Sequence, residues 1–178
     1  MSDVVLLTLT LALLVGPGPT WAQSKELSSR FYSFAVGADL YPPTFHGVMV
    51  QASVGWPNAR PGRFGVRLDV FAERFERRFA TSEFKTLDVV GIRGSLLRQS
   101  KSRGTSTFYH TVGPAVYYFP RHPRAGEALR FGASAGFGFA WALHHRGGPW
   151  LSLEGSFDAI FGRDTQHVLA PLSLRIRF

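Results

Sequence analysis

The stretch 168–178, VLAPLSLRIRF, constrains the fold more than any other part of the chain. Read as a strand, it puts Val168, Ala170, Leu172, Leu174, Ile176 and Phe178 on one face. Pro171, Ser173, Arg175 and Arg177 take the other, because strand side chains alternate with period 2. A soluble sheet seldom ends on a bare aromatic residue with arginines backing a wholly apolar face. A strand of a closed barrel in lipid needs that distribution, grease outward and polar groups toward the lumen. Such a barrel requires further strands of the same kind upstream.

They are present. Phe34, Val36, Ala38 and Leu40 alternate with Ser33, Ala35, Gly37 and Asp39, and Tyr41-Pro42-Pro43 stops the segment. Val48, Val50, Ala52, Val54 and Trp56 alternate with Gly47, Met49, Gln51, Ser53 and Gly55. Phe64, Val66, Leu68, Val70 and Ala72 oppose Arg63, Gly65, Arg67, Asp69, Phe71 and Glu73. Phe131 to Trp141 sets aromatic and small residues against a glycine-rich row, which in a narrow lumen makes room for larger side chains opposite. Leu151 to Phe161 sets its apolar row against Ser152, Glu154, Ser156 and Asp158. Two segments are mixed. In 86–97 both faces are apolar around Val89, Val90 and Ile92, for which a register-shifting bulge would account. In 106–119 the closing Tyr117, Tyr118 and Phe119 suggest part of an interfacial aromatic girdle. With the terminal strand this makes eight segments, and an even count suits small bacterial barrels. The expected fold class is all-β: an eight-stranded antiparallel up-and-down transmembrane β-barrel.

The amino terminus fits export. The apolar run VVLLTLTLALLV (4–15) is shorter than the roughly 20 residues that a membrane-spanning helix needs. Gly16-Pro17-Gly18-Pro19 ends the run, and Thr20-Trp21-Ala22 places small residues at a cleavage site before Gln23. The expected organisation is a signal peptide over 1–22, a short segment over 23–30 and the barrel over 31–178. Asp3 stands where such a peptide usually carries a Lys or Arg. The chain has no cysteine, which excludes a disulfide scaffold and thiolate metal sites. Its formal charge of +8 comes mostly from arginines scattered singly, without a basic helix or a nucleic-acid motif, so a nucleic-acid partner is not expected.

The terminal strand resembles the C-terminal recognition strand of Gram-negative outer-membrane β-barrels. The wider pattern, Tyr32 to Asp39, the run TVGPAVYY (111–118) and the closing PLSLRIRF, resembles small OmpA/OmpW-like barrels. The resemblance implies an integral outer-membrane protein of the cell envelope. It also implies a C-terminal assembly signal in Leu174, Ile176 and Phe178, read by the barrel-assembly machinery. Outer-membrane lipids, with lipopolysaccharide among them, are the expected surroundings of a monomer.

Eight strands enclose an interior that side chains nearly fill. The inward rows supply lumen ion-pair candidates of both signs: Asp39, Arg67, Asp69, Glu73, Arg130, Glu154, Asp158, Arg175 and Arg177. Arg93 and Asp88 stay unassigned because of the mixed segment. Unpaired, each buried charge would cost several kcal/mol, so the expected interior is a salt-bridged plug in which Arg175 and Arg177 reach Glu154, Asp158 or Asp39. No catalytic, metal or cofactor site is expected. Lipid A deacylases, which are small outer-membrane barrels, carry a His-x-Ser pair on a late strand. Here His110, His144, His145 and His167 are followed two residues on by Val112, Arg146, Gly147 and Leu169. His144-His145 lacks a third metal ligand. The expected role is non-enzymatic, structural or in surface interaction. The alternatives are an OmpW-like, porin-like conduit for small hydrophobic compounds and a secreted lipocalin-like ligand-binding barrel.

Overall fold

In a computed structural model the protein is described over residues 30–39, 45–57, 63–78, 84–100, 105–120, 128–143, 148–161 and 166–178. The expected signal peptide, and 23–29 of the segment after it, lie outside the described residues. Within them every regular element is a strand: β1 Phe31–Asp39, β2 Phe45–Trp56, β3 Phe64–Arg78, β4 Phe84–Gln99, β5 Ser106–Tyr118, β6 Leu129–Ala142, β7 Trp150–Phe161, β8 Gln166–Leu169 and β9 Pro171–Arg177. From β1 to β8 each strand pairs antiparallel with the next in sequence, β9 closes onto β1, and β7 takes β6 on one edge and β8 and β9 on the other. Because β8 and β9 continue one line along β7, they form a single stave, and the barrel has eight.

The stagger follows from the register. Passing from partner to partner, Leu151 leads through Ile176, Phe34, Ala52, Val70, Ile92, Val116 and Phe131 to Phe161, ten residues further along the starting strand. A closed sheet staggered in this way tilts its strands by roughly 35–45° to the axis. Every residue on that circuit is apolar and lies on the outer face. That is the sequence-level reason for a lipid-facing wall.

The two irregular segments have physical causes. β3 and β4 pair without a break from Phe64↔Arg98 to Arg78↔Phe84, so the bulge expected in the fourth segment is absent. Both its faces are apolar because Val89 and Leu97 point inward as filling while Ile92 and Leu96 face out. Pairing of β4 with β5 lapses between Arg93↔Ala115 and Leu96↔Val112 with no change of register. Pro114, which falls in the gap, has no N–H to give across the ladder. Pairing of the eighth stave with β7 lapses likewise at Ala170 and Pro171, and the Ala170 N–H donates to Asp39 Oδ1 at 2.9 Å.

Candidate functional site

Alternation aims one residue in two at the axis, and the lumen they fill has three layers. The ionic layer lies between the barrel ends. Arg67 on β3 donates from Nη1 and Nη2 to the two carboxylate oxygens of Glu154 on β7, at 2.8 and 2.7 Å. Its Nε donates to Asp69 at 3.1 Å. Tyr109 on β5 donates its hydroxyl to Glu154 Oε2 at 2.8 Å, and Arg175 on β9 brings Nε to 3.2 Å from the same oxygen. The remaining reach of Arg175 goes to Ser33 and Ser53, whose hydroxyls accept from Nη1 at 2.8 and 2.5 Å. A second pair, Arg93 with Asp158, is held by a hydrogen bond from Nη2. All these charged groups are buried. Each of these charges thus faces one of opposite sign, while Asp69 Oδ1, Arg93 Nε, Asp158 Oδ1 and Arg175 Nε and Nη2 have no hydrogen-bond partner among the described residues.

Apolar clusters cover the ionic layer on both sides. Toward the Asp39 end, Phe71, Val89, Ala115, Tyr117, Phe119, Ile160 and Leu169 pack together. Toward the Phe31 end, Phe31, Leu97, Tyr109, Ala140 and Trp150 do the same. Inward glycines make the room. Phe31, Phe71 and Tyr109 lie directly opposite Gly55, Gly91 and Gly138, and a Cβ on each glycine would meet the ring at 2.2–2.3 Å. A cavity of about 20 Å³ at the Phe31 end is lined by Arg67, Leu97, Tyr109, Trp150, Arg175 and Arg177 among others. It has room for about one water.

Of the residues singled out in the sequence, Arg67, Asp69, Glu154 and Arg175 come together in one network, and Asp158 joins Arg93 instead. Asp39 caps the interrupted stave through Ala170. Arg130 lies over the Phe119 ring at 5.1 Å and Arg177 over Phe31 at 4.1 Å, both as cation–π contacts. Glu73 is buried, and its Oε1 has no hydrogen-bond partner among the described residues. Asp88 has the parity of the outward row yet is buried, and Arg74 opposite it on β3 donates to it from Nε at 2.6 Å. The sequence reading missed Tyr109, Ser33 and Ser53 as partners. The inward parity of Ser33 and Ser53 was visible, whereas their pairing with Arg175 depends on barrel closure.

The outer face is apolar around the barrel. Leu174, Ile176 and Phe178 are 47%, 41% and 51% exposed on it, while Arg175 is 2% exposed within. This is the reverse of what a soluble ligand-carrying barrel would require. Aromatic residues collect where strands end near Phe31: Trp56, Phe64, Phe108, Phe139, Trp141 and Phe178 are all outward. Of the three aromatics at 117–119, only Tyr118 belongs outside. Tyr117 and Phe119 are buried in the lumen cluster, because their parity on β5 is that of Tyr109 and Ala115. The described residues contain no group of three or more metal-ligating side chains. His110 points outward between Arg98 and Phe137, its cross-strand neighbours. His144 and His145 lie outside the described residues.

A closed sheet with a greasy exterior and a paired-charge interior defines an integral membrane β-barrel of the small outer-membrane kind. The solved structures agree. The fold is similar to Neisserial surface protein A, with a TM-score of 0.59 at 14% identity over 83% of this chain and 94% of that one. It is similar to the outer membrane enzyme PagL, with a TM-score of 0.55 at 16% identity over 83% and 98%. It also matches the Yersinia pestis outer membrane protein Ail, with a TM-score of 0.50 at 10% identity over 84% and 100%. No family model and no curated protein matches the sequence. An enzyme stands beside a surface protein and an outer membrane protein in this set, so the fold by itself does not decide catalysis.

Proposed function

We propose that this chain is a non-enzymatic integral barrel of the bacterial outer membrane, serving the envelope through its wall and loops while its lumen stays shut. One observation carries the reading: the Arg67–Glu154–Arg175 layer fills the middle of the lumen with apolar clusters toward both ends. The cavity that reaches Arg67 and Arg175 from the Phe31 end has room for about one water, and the charges there already answer one another. The outward His110 has an arginine and a phenylalanine as cross-strand neighbours, which supplies neither a nucleophile nor an orienting acid. Leu174, Ile176 and Phe178 present one unbroken apolar edge to lipid, the face an assembly machinery would read, and the barrel acts as a monomer. Lipopolysaccharide phosphates are the partner proposed for the basic stretches 74–85 (RFERRFATSEFK) and 120–129 (PRHPRAGEAL).

Electrophoresis of the refolded chain with and without boiling tests membrane-barrel character, with faster migration expected before boiling. Planar-bilayer recording then tests the closed lumen. The expected result is no steady current, and a stable ohmic conductance overturns the reading.

A further inference from the structure

Resting on the membrane reading just given, we infer that the outer face of the β4–β5 seam holds one anionic glycerophospholipid, its phosphate on Arg98 and His110 and an acyl chain over Gly94. Arg98 and His110 are directly opposite each other, in a cross-strand row that runs Phe64, Arg98, His110, Phe137. Both are exposed. The Arg98 guanidinium lies over the Phe64 ring at 5.8 Å, and the His110 ring stands edge-on to Phe108 at 4.7 Å. These contacts hold two hydrogen-bond donors side by side at the level of the aromatic rim. No Asp or Glu side chain among the described residues lies outward at that end of the barrel, since Asp88, of outward parity, is at the other end with Arg74. Arg30, over the Trp56 ring at 5.8 Å, is a further outward cation at that rim, but Arg98 and His110 are the pair set directly opposite each other. Such donors take an acceptor from outside the protein, and a lipid phosphate is an anion found at that depth.

A second observation places the chain of the lipid. Along the same seam, past Leu96 and Val112, comes Gly94, and a Cβ built there would meet nothing within 4 Å. The other outward glycine, Gly155, has its space bounded by Phe137 and Leu172 at 3.6 and 3.9 Å. Open space over Gly94, with Leu96 and Val112 between it and the two donors, leaves room for a hydrocarbon tail joined to a phosphate. Inorganic phosphate would have no use for it.

Native mass spectrometry of the folded full chain, released from detergent with phosphatidylglycerol or phosphatidylcholine of equal chain length, reads the site directly. One phosphatidylglycerol should be retained in preference to phosphatidylcholine. Arg98→Ala should lower that retention about fivefold, the weight of one cation near an anionic membrane surface, and His110→Ala, which removes a hydrogen-bond donor, should lower it by less. Gly94→Ile should lower it with both donors intact, while Arg98→Lys should largely keep it. Soluble glycerophosphoglycerol should not compete. Equal retention of the two lipids, undiminished retention in the Arg98→Ala/His110→Ala double variant, or displacement by the soluble headgroup overturns the site. The wild-type comparison decides the matter even if every variant fails to fold. A chain that migrates identically boiled and unboiled overturns the membrane reading beneath it, whereas a heat-modifiable barrel with no preference overturns the lipid site alone.

Discussion

Arg67 and Glu154, 87 residues apart in sequence, meet across the lumen through two parallel hydrogen bonds of 2.8 and 2.7 Å. The contact joins β3 to β7, which are not neighbours in the sheet. It therefore ties opposite walls in a way that ladder hydrogen bonds cannot. Glu154 also receives Tyr109 and faces Arg175, so one carboxylate answers two guanidinium groups.

Removing that carboxylate should be costly. Glu154→Ala leaves Arg67 and Arg175 buried without it, and breaking a buried pair in this way costs about 3–5 kcal/mol. Urea unfolding in lipid vesicles should show a loss of that order. Replacing the pair together, Arg67→Met with Glu154→Leu, should recover most of it, because well-packed apolar groups often replace buried ion pairs at little cost. A double variant no better than the single one would mean that the pair contributes more than mutual neutralisation.

Gly138 sets the position of Tyr109. A Cβ at Gly138 would fall 2.3 Å from the Tyr109 ring, so Gly138→Ala must push the tyrosine off Glu154. The expected cost is about 1–3 kcal/mol, typical of overpacking. Gly155→Ala, whose Cβ would meet Phe137 at an ordinary 3.6 Å, is the matched control and should fold as the wild type does. Vesicle-folding yields of the two variants, compared side by side, check the difference.

Alternation was legible wherever the lumen side of a strand is polar or glycine. In β2, β3, β6, β7 and β9 the rows read directly from the sequence, and parity alone put Arg67, Asp69, Glu154 and Arg175 inside. It misled where apolar residues face inward. Val89 and Leu97 made β4 look irregular, and Tyr117 and Phe119 looked like girdle residues, yet all four fill the lumen. A barrel this narrow must close its own ends, and rings or aliphatic chains do so without needing partners. The choice of ion pairs was not legible either. Arg93 takes Asp158, and Asp88 takes Arg74, outcomes fixed by the stagger rather than by either strand alone.

Asp39 compensates for Pro171. The proline sits opposite Asp39 with no N–H to offer, and the Asp39 carboxylate accepts from the preceding Ala170 N–H at 2.9 Å. Asp39→Ala should remove that acceptor from a part-buried amide, at about 0.5–1.5 kcal/mol for one intramolecular hydrogen bond. Hydrogen exchange at Ala170 should accelerate well beyond that at Leu174 on the same stave. Asp39→Asn retains an acceptor oxygen and should restore most of the protection. Equal exchange in all three proteins would show that the break in the stave is held by something other than this carboxylate.

Leu174 offers the sharpest test of which solvent the wall faces. It points outward between Val36 on β1 and Leu153 on β7, within the apolar surface and away from the aromatic rim. In lipid, Leu174→Arg should cost about 2–4 kcal/mol, the price of a cation near the midplane. The neighbouring inward Ser173 cannot relieve it, because adjacent strand residues point to opposite faces. In water the same change would be nearly neutral at a residue 47% exposed. Unfolding free energies measured in vesicles separate the two cases: a loss of that size requires hydrocarbon against the wall, and an unchanged value would place that face in water.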